Sequence, residues 1–222
     1  MIFLFHELAG DTTLKLTGDT FKHMIKARRQ NVGDQLILRK FEDEYNYIYT
    51  INESSKKEAT LILSDTTLPP KQKRKNLHIG WCMIDPKSVE KVLPSLCEIG
   101  VDEISFIYAN RSQKNFSIDL KRLDRILINS MQQCGRFDKM KLHADVSLQD
   151  FIADNPKTVV LDFCDTPLKS ENTFSSVLLG PEGGFDAQEK DLLSQLEVRR
   201  LDTPMVLRSE TAAIAIASKL LL

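Results

Sequence analysis

The sequence predicts an α/β protein in two parts: a small β-rich body over roughly the first 70 residues, then a mostly parallel sheet with helices on both faces. Three observations carry that reading. Residues 34–64 hold three short segments rich in β-branched and aromatic side chains, separated by polar turns. From residue 77 onward, apolar strand-like runs alternate with longer segments of helical spacing. Between the two parts, residues 69–76 read PPKQKRKN, with two adjacent prolines, four positive charges and no negative one. Such a stretch continues neither a helix nor a central strand.

In the first part, residues 34–40 (DQLILRK), 44–52 (EYNYIYTIN) and 58–64 (EATLILS) are the predicted strands. Residues 19–29 are a helix, with Phe21, Ile25 and Arg28 spaced along one face. A small barrel suits so short a body, because closure removes exposed strand edges. In the second part, residues 77–84 (LHIGWCMI) read as a buried strand and 86–99 as a helix opened by proline, whose missing N–H is tolerated in the first turn. A strand at 103–108, a long helix at 118–133 and strands at 158–163 (TVVLDF) and 176–179 (SVLL) come next. A helix at 187–196, a short strand at 198–201 and a final helix at 209–222 complete the chain. Trp81 is expected in the core, and of the four scattered histidines His6, His78 and His143 are expected to be structural.

Composition narrows the function. The 222 residues carry 30 Lys and Arg against 31 Asp and Glu, and 42% are hydrophobic, which supports a buried core and excludes a disordered chain. No apolar run approaches the roughly 20 residues of a membrane helix, and no signal peptide is visible, since His6 and Glu7 come directly after the apolar start. Cys82, Cys97, Cys134 and Cys164 lie far apart without a C-x-x-C pair; they are expected as reduced thiols in the cytoplasm, and no metal is implied. The net charge of -1 is an average: residues 1–70 hold 9 basic and 10 acidic side chains, residues 77–222 hold 17 and 21, and the link is purely basic. Near-neutrality excludes bulk attraction to a polyanion and confines any nucleic-acid contact to local patches.

The most informative segment is residues 178–185, LLGPEGGF. An apolar strand runs into Gly180-Pro181-Glu182-Gly183-Gly184 and then a helix, so three residues without a β-carbon sit where α/β proteins bind ligands. Neither G-x-x-x-x-G-K-[ST] nor G-x-G-x-x-G is present. A rigid proline beside a glutamate is a poor cradle for a polyanion and suits a neutral or cationic ligand read by backbone groups. A tight strand-to-helix turn is the plainer account of the same five residues. Residues 205–213, MVLRSETAA, are the second segment: Arg208 or Ser209 caps a helix of small residues, with Glu210 and Thr211 in the first turn, where the dipole favours a carboxylate. Taken singly this is a capped core helix; beside the glycine loop it becomes the second wall of one pocket.

Together, GPEGGF and, about 25 residues later, LRSETAA resemble the trefoil-knotted SPOUT RNA methyltransferases, and most of all the ribosomal RNA small subunit methyltransferase E family. The resemblance spans nearly the whole chain. His23-Met24-Ile25-Lys26-Ala27-Arg28-Arg29 with Gly33-Asp34 is similar to the family's first-domain pattern, which sets His23 apart from the other histidines, and Glu98-Ile99-Gly100-Val101, Asn110-Arg111-Ser112 and Gln133-Cys134-Gly135-Arg136 resemble successive motifs of its catalytic domain. It implies a PUA-like β-barrel for RNA at residues 1–70, a basic linker at 71–76 and, at 77–222, an α/β SPOUT domain with a deep trefoil knot, which dimerises. It also implies S-adenosyl-L-methionine as cofactor and N3 of one uridine in 16S ribosomal RNA of the small ribosomal subunit as methyl acceptor. The chain departs from the family pattern at Thr203 and Met205, where a Gly and an Arg are usual, at Ser95 for a common Lys and at Gln132 for a common Glu. Met1-Ile2-Phe3-Leu4-Phe5 also lacks the family's N-terminal Arg.

On this resemblance Leu179, Gly180, Pro181, Glu182, Gly183, Gly184, Val206, Leu207, Thr211 and Ala212 are the expected cofactor contacts. Arg208 and Glu210 are the expected catalytic residues. Uracil N3 bears a proton at neutral pH, so a cation must stabilise the uridinate or a base must take the proton. Arg208 suits the first task; Glu210, at a helix start, is expected to be hydrogen-bonded and weakly basic, which points to a structural role. Lys22, Lys26, Arg28, Arg29, the cations of the link, Arg111 and Arg136 are the expected phosphate contacts. Two other readings share these residues: methylation of a ribose 2′-hydroxyl in transfer or ribosomal RNA, and a non-catalytic RNA-binding or ribosome-assembly factor on the same fold.

Overall fold

The computed structural model describes residues 2–70, 75–112, 116–169 and 174–222. The chain divides into two compact units, Met1–Gln72 with Gln132–Phe137, and Lys73–Met131 with Asp138–Leu222. Of the basic link, residues 71–74 lie outside the described residues.

The first unit is built on β1 (Leu4–Phe5), β2 (Thr13–Thr17), β3 (Gln35–Arg39), β4 (Asn46–Ser54) and β5 (Glu58–Thr67), in the order β1-β3-β4-β5-β2. β1 joins β3 in parallel and the other pairs are antiparallel. Register shifts between β4 and β5 at Ile48/Tyr49 and Ile51/Glu53 add local twist, and the sheet curls into a half-barrel. Its end strands are only 2 and 5 residues long, so little unpaired edge is left where closure was expected to remove it.

Period-two alternation makes the core of this unit. In β2, Leu14 and Leu16 are buried between exposed neighbours, and they share a cluster with Leu36, Leu38, Tyr49, Ile51 and Leu61. The buried Tyr49 hydroxyl donates to the Asp11 carbonyl at 2.7 Å and accepts the Gly10 N–H at 2.9 Å. The helix predicted over 19–29 is instead α1 (Gly18–Phe21) continued by a π-helical turn, Lys22–Lys26, in which the Ala27 N–H donates to the Lys22 carbonyl at 2.8 Å. Arg29, at φ +57°, ends it. Widening the turn puts the neighbours Met24 and Ile25 on the buried side together with Phe21.

In the second unit all six strands run parallel: β6 (His78–Cys82), β7 (Glu103–Ile107), β8 (Lys141–Val146), β9 (Val159–Leu161), β10 (Ser176–Leu179) and β11 (Glu197–Arg199). Their order is β11-β9-β10-β6-β7-β8. The connections carry α2 (Pro86–Ile99), α3 (Leu120–Cys134), α4 (Leu148–Asp154) and α5 (Ala187–Leu193), and α6 (Ser209–Leu221) closes the chain. The central strands β6 and β10 are buried almost throughout, as strands covered on both faces must be. α2 starts where the Asp85 carboxylate accepts the Ser88 N–H at 3.2 Å, with Pro86 in its first turn, and stops at Gly100, φ +106°. α6 packs on α2. Trp81 is in the core, as expected, and its indole N–H donates to Ser209 Oγ at 2.8 Å, which ties β6 to the first residue of α6. None of the four cysteines forms a disulfide. Among the described residues no helix is long and apolar enough to cross a membrane.

Candidate functional site

The carboxyl ends of β9 and β10 open onto a cavity of about 430 Å³, a volume typical of small-molecule and cofactor sites. Leu161, Asp162 and Phe163 form one wall at the end of β9, and Leu179, Gly180, Pro181, Glu182, Gly184 and Phe185 form a second after β10. Arg200, Leu201, Thr203, Met205, Val206, Leu207, Arg208, Ser209 and Ala212 close the third side, running into α6. Both segments singled out in the sequence therefore meet at one cavity. The first wall carries no glycine or motif; the rule that ligands gather at strand ends is the signal that finds it.

The glycine loop is shaped by its own packing. Gly184, at φ +69°, donates its N–H to the Pro181 carbonyl at 2.8 Å, a turn that favours glycine. At Gly180 an added Cβ would lie 2.9 Å from Cε2 of the buried Phe185 ring. Gly183 does not line the cavity: a Cβ there would meet Arg111 Cβ at 3.3 Å, and Arg111 Nη1 donates to the Gly183 carbonyl at 3.0 Å. The close approach expected of Gly183 is thus to a guanidinium-bearing side chain of the same unit. Asp186 caps α5 in a reciprocal box with Glu189, both bonds at 2.9 Å. Glu189 also accepts the Asn110 N–H at 2.7 Å, and Asn110 Nδ2 donates to Asp186 at 2.7 Å. The Glu189 N–H first, and the Asn110 amide next, hold the Asp186 carboxyl below the usual carboxylate range. Asn110 and Arg111 accordingly brace the glycine loop from the segment after β7.

On the opposite wall Arg208 occupies the N-cap of α6 with extended backbone and no side-chain capping bond. Ser209, offered with Arg208 as the cap, is already the first residue of α6, and its Oγ accepts from Trp81. Arg208 is exposed and lines the cavity; Glu210 is half-buried, Thr211 exposed, and neither lines it. Thr203 Oγ1 accepts the Met205 N–H at 3.2 Å, and Arg200 pairs with Asp202 at 3.1 Å.

The predicted phosphate contacts fall in different places. Lys22 and Lys26 are exposed on the π-helical turn, and Arg29 is exposed just beyond it, while Arg28 between them is half-buried. Lys22 pairs with Asp19 at 2.9 Å. Arg111 is exposed beside the glycine loop. Arg136 is only 5% exposed, which withdraws it from the surface role expected of it. Lys71, Lys73 and Arg74 lie outside the described residues, and Lys75 donates to the Leu220 carbonyl at 3.0 Å.

Residues 71–221 match a family model described as an RNA methyltransferase domain, and residues 16–64 match one described as an RNA methyltransferase PUA domain. The chain is 37% identical over 222 residues to ribosomal RNA small subunit methyltransferase E of Helicobacter pylori strain J99, with 98% of each protein covered, and 36% identical at the same coverage to that of strain 26695. In fold it is similar to ribosomal RNA small subunit methyltransferase E from Neisseria gonorrhoeae, solved bound to S-adenosyl methionine, with a TM-score of 0.75 at 16% identity over 98% of this chain and 95% of that one. With likeness of this degree running from end to end, the chain belongs to the ribosomal RNA small subunit methyltransferase E family of RNA methyltransferases.

Proposed function

We propose that this protein transfers a methyl group from S-adenosyl-L-methionine to N3 of a uridine in the 16S ribosomal RNA of the small subunit, in the cytoplasm. The observation that carries the reading is the cavity at the ends of β9 and β10, walled by the two segments that resemble the family's motifs. Its residues fit the cofactor: the walls are largely apolar, and the carboxylates Asp162 and Glu182 favour a cationic ligand over a polyanion. When bound, S-adenosylmethionine supplies a methyl group activated by the sulfonium charge. The protein then has to hold the uracil in line and lower the cost of removing its N3 proton. Arg208, exposed at the mouth, stabilises negative charge on the base as that proton leaves. Glu210 in the first turn of α6 has a structural role, since a helix start favours an acidic side chain.

In this reading residues 1–70 hold RNA through Lys22, Lys26, Arg28 and Arg29, residues 71–76 link, and residues 77–222 form the methyl-transferring domain, knotted and dimeric as the family resemblance implies. Mass spectrometry of 16S ribosomal RNA from a deletion strain tests it. N3-methyluridine is expected to disappear, to return with the wild-type chain and to stay absent with Arg208→Ala. Its persistence at full level in the deletion strain contradicts the assignment, and loss of a ribose 2′-O-methyl in its place identifies a different acceptor. Calorimetry with S-adenosylmethionine separates an enzyme from a non-catalytic RNA-binding protein: no binding at millimolar cofactor excludes the enzyme.

A further inference from the structure

We propose that Asp162 accepts hydrogen bonds from the ribose hydroxyls of the cofactor, an inference that rests on the S-adenosylmethionine reading above. Asp162 comes directly after the last residue of β9, the strand paired with the one that feeds the glycine loop, and it lines the cavity half-buried. Its Oδ1 accepts the Phe163 N–H at 2.7 Å, which anchors the carboxylate. The second carboxylate oxygen has no hydrogen-bond partner among the described residues.

The other polar side chains of the wall are hydroxyls that already accept an N–H, an arginine in an ion pair, or charged groups open to solvent. Ser209 Oγ accepts from Trp81, Thr203 Oγ1 from the Met205 N–H, and Arg200 pairs with Asp202. Glu182 and Arg208 are exposed. A carboxylate offers acceptor sites on both oxygens and no donor, while a ribose diol presents two adjacent O–H donors. An anchored, half-buried carboxylate is therefore the wall group matched to that diol. The same physics places an acidic side chain on ribose hydroxyls at the strand ends of dinucleotide-binding sheets. Its recurrence here stems from the position of Asp162 and needs no shared motif.

A binding cycle by calorimetry on the full chain tests the assignment. Wild type and Asp162→Ala are each titrated with S-adenosylhomocysteine and with its 2′-deoxy counterpart, and S-adenosylmethionine is titrated alongside. Removal of the hydroxyl is expected to weaken binding to wild type about 10- to 100-fold, the range for a hydrogen bond to a charged group. In Asp162→Ala the ribose and deoxyribose ligands are expected to bind alike. Asp162→Asn, which keeps an acceptor for the Phe163 N–H, is expected to melt with wild type. If Asp162→Ala weakens both ligands equally and the ribose preference survives, Asp162 is a strut for Phe163 and the proposal falls. If Asp162→Asn weakens S-adenosylmethionine and leaves S-adenosylhomocysteine unchanged, the carboxylate faces the sulfonium, and the proposal also falls. Failure of the wild-type chain to bind S-adenosylmethionine overturns the cofactor reading and this inference with it, a result seen before any variant is compared.

Discussion

Replacing Gly180 by alanine separates the packing of the glycine loop from its contact with any ligand. The new Cβ would stand 2.9 Å from Phe185 Cε2 and 3.4 Å from Cζ, whereas unstrained carbon contacts lie at about 3.5–4.0 Å. Phe185 is 2% exposed and belongs to the same buried cluster as Cys82, Leu178 and Leu193, so the ring has no room to swing and the loop has to move. Forcing a methyl group into a filled site costs about 1–3 kcal/mol. In a chain of this size each kcal/mol lowers the melting temperature by about 2–4 °C. Gly180, unlike Gly184, is not held at positive φ, so the penalty is steric contact and not backbone strain. Thermal unfolding of Gly180→Ala, Phe185→Leu and the double variant closes a cycle in which the double variant should lose less than the sum of the singles, because leucine vacates the position of the ring edge. Calorimetry on the same proteins should show weaker S-adenosylmethionine binding by Gly180→Ala as the loop shifts. An alanine variant that melts with wild type, or a penalty undiminished in the leucine background, would refute the reasoning.

Tyr49→Phe leaves the Gly10 N–H and the Asp11 carbonyl without their shared partner; a loss of about 1–2 kcal/mol is expected in urea unfolding, with faster hydrogen exchange at Gly10. Ser209→Ala strands the buried indole N–H of Trp81, and about 1–3 kcal/mol should be lost. Trp81 is the one tryptophan of the chain, so its fluorescence reports that site directly. Burial holds the His78 imidazole below its ordinary value of 6.5, against a smaller opposing pull from Glu103. The folded protein then binds fewer protons at this site than the unfolded chain. The contribution is therefore complete above pH 6.5 and declines as the pH falls from there through the folded value. His78→Gln is expected to flatten that part of the stability profile measured by denaturant unfolding, and an unchanged slope would show that another group titrates.

How far the fold can be read from the sequence depends on how each segment is covered. β6, β7, β9 and β10 fall inside runs recognised at 77–84, 103–108, 158–163 and 176–179, because strands buried on both faces are apolar throughout. β8, KLHADV, goes unrecognised: it is an edge strand of alternating exposure, and its charged side chains are those that keep an edge from pairing with another chain. α4 also goes unpredicted; its local signal is the Ser147 cap on the Asp150 N–H. β1 and β2 are short for the same purpose of limiting edges, and nothing local separates a π-helical turn from an α-helix over Lys22–Lys26. At the site, the glycine loop and residues 205–213 stand out because their small residues are unusual. Leu161, Asp162 and Phe163 become a wall only when β9 is laid beside β10.

Alternation of apolar strands with helices is a local pattern, and so is a proline-flanked cluster of glycines after a strand. Such patterns are enough to read the fold class and the family resemblance, and to single out the glycine loop as a candidate site. Which space each missing side chain leaves is a different kind of fact. Gly180 makes room for Phe185, Gly183 for Arg111, and Gly184 for a turn at positive φ. In the sequence the three are indistinguishable. Only the tertiary structure decided among them, because the neighbour that sets each requirement comes from packing; Arg111 reaches Gly183 across 72 residues of chain. The burial of Arg136 and the spare oxygen of Asp162 were decided in the same way, by what stands within a few ångströms of each group.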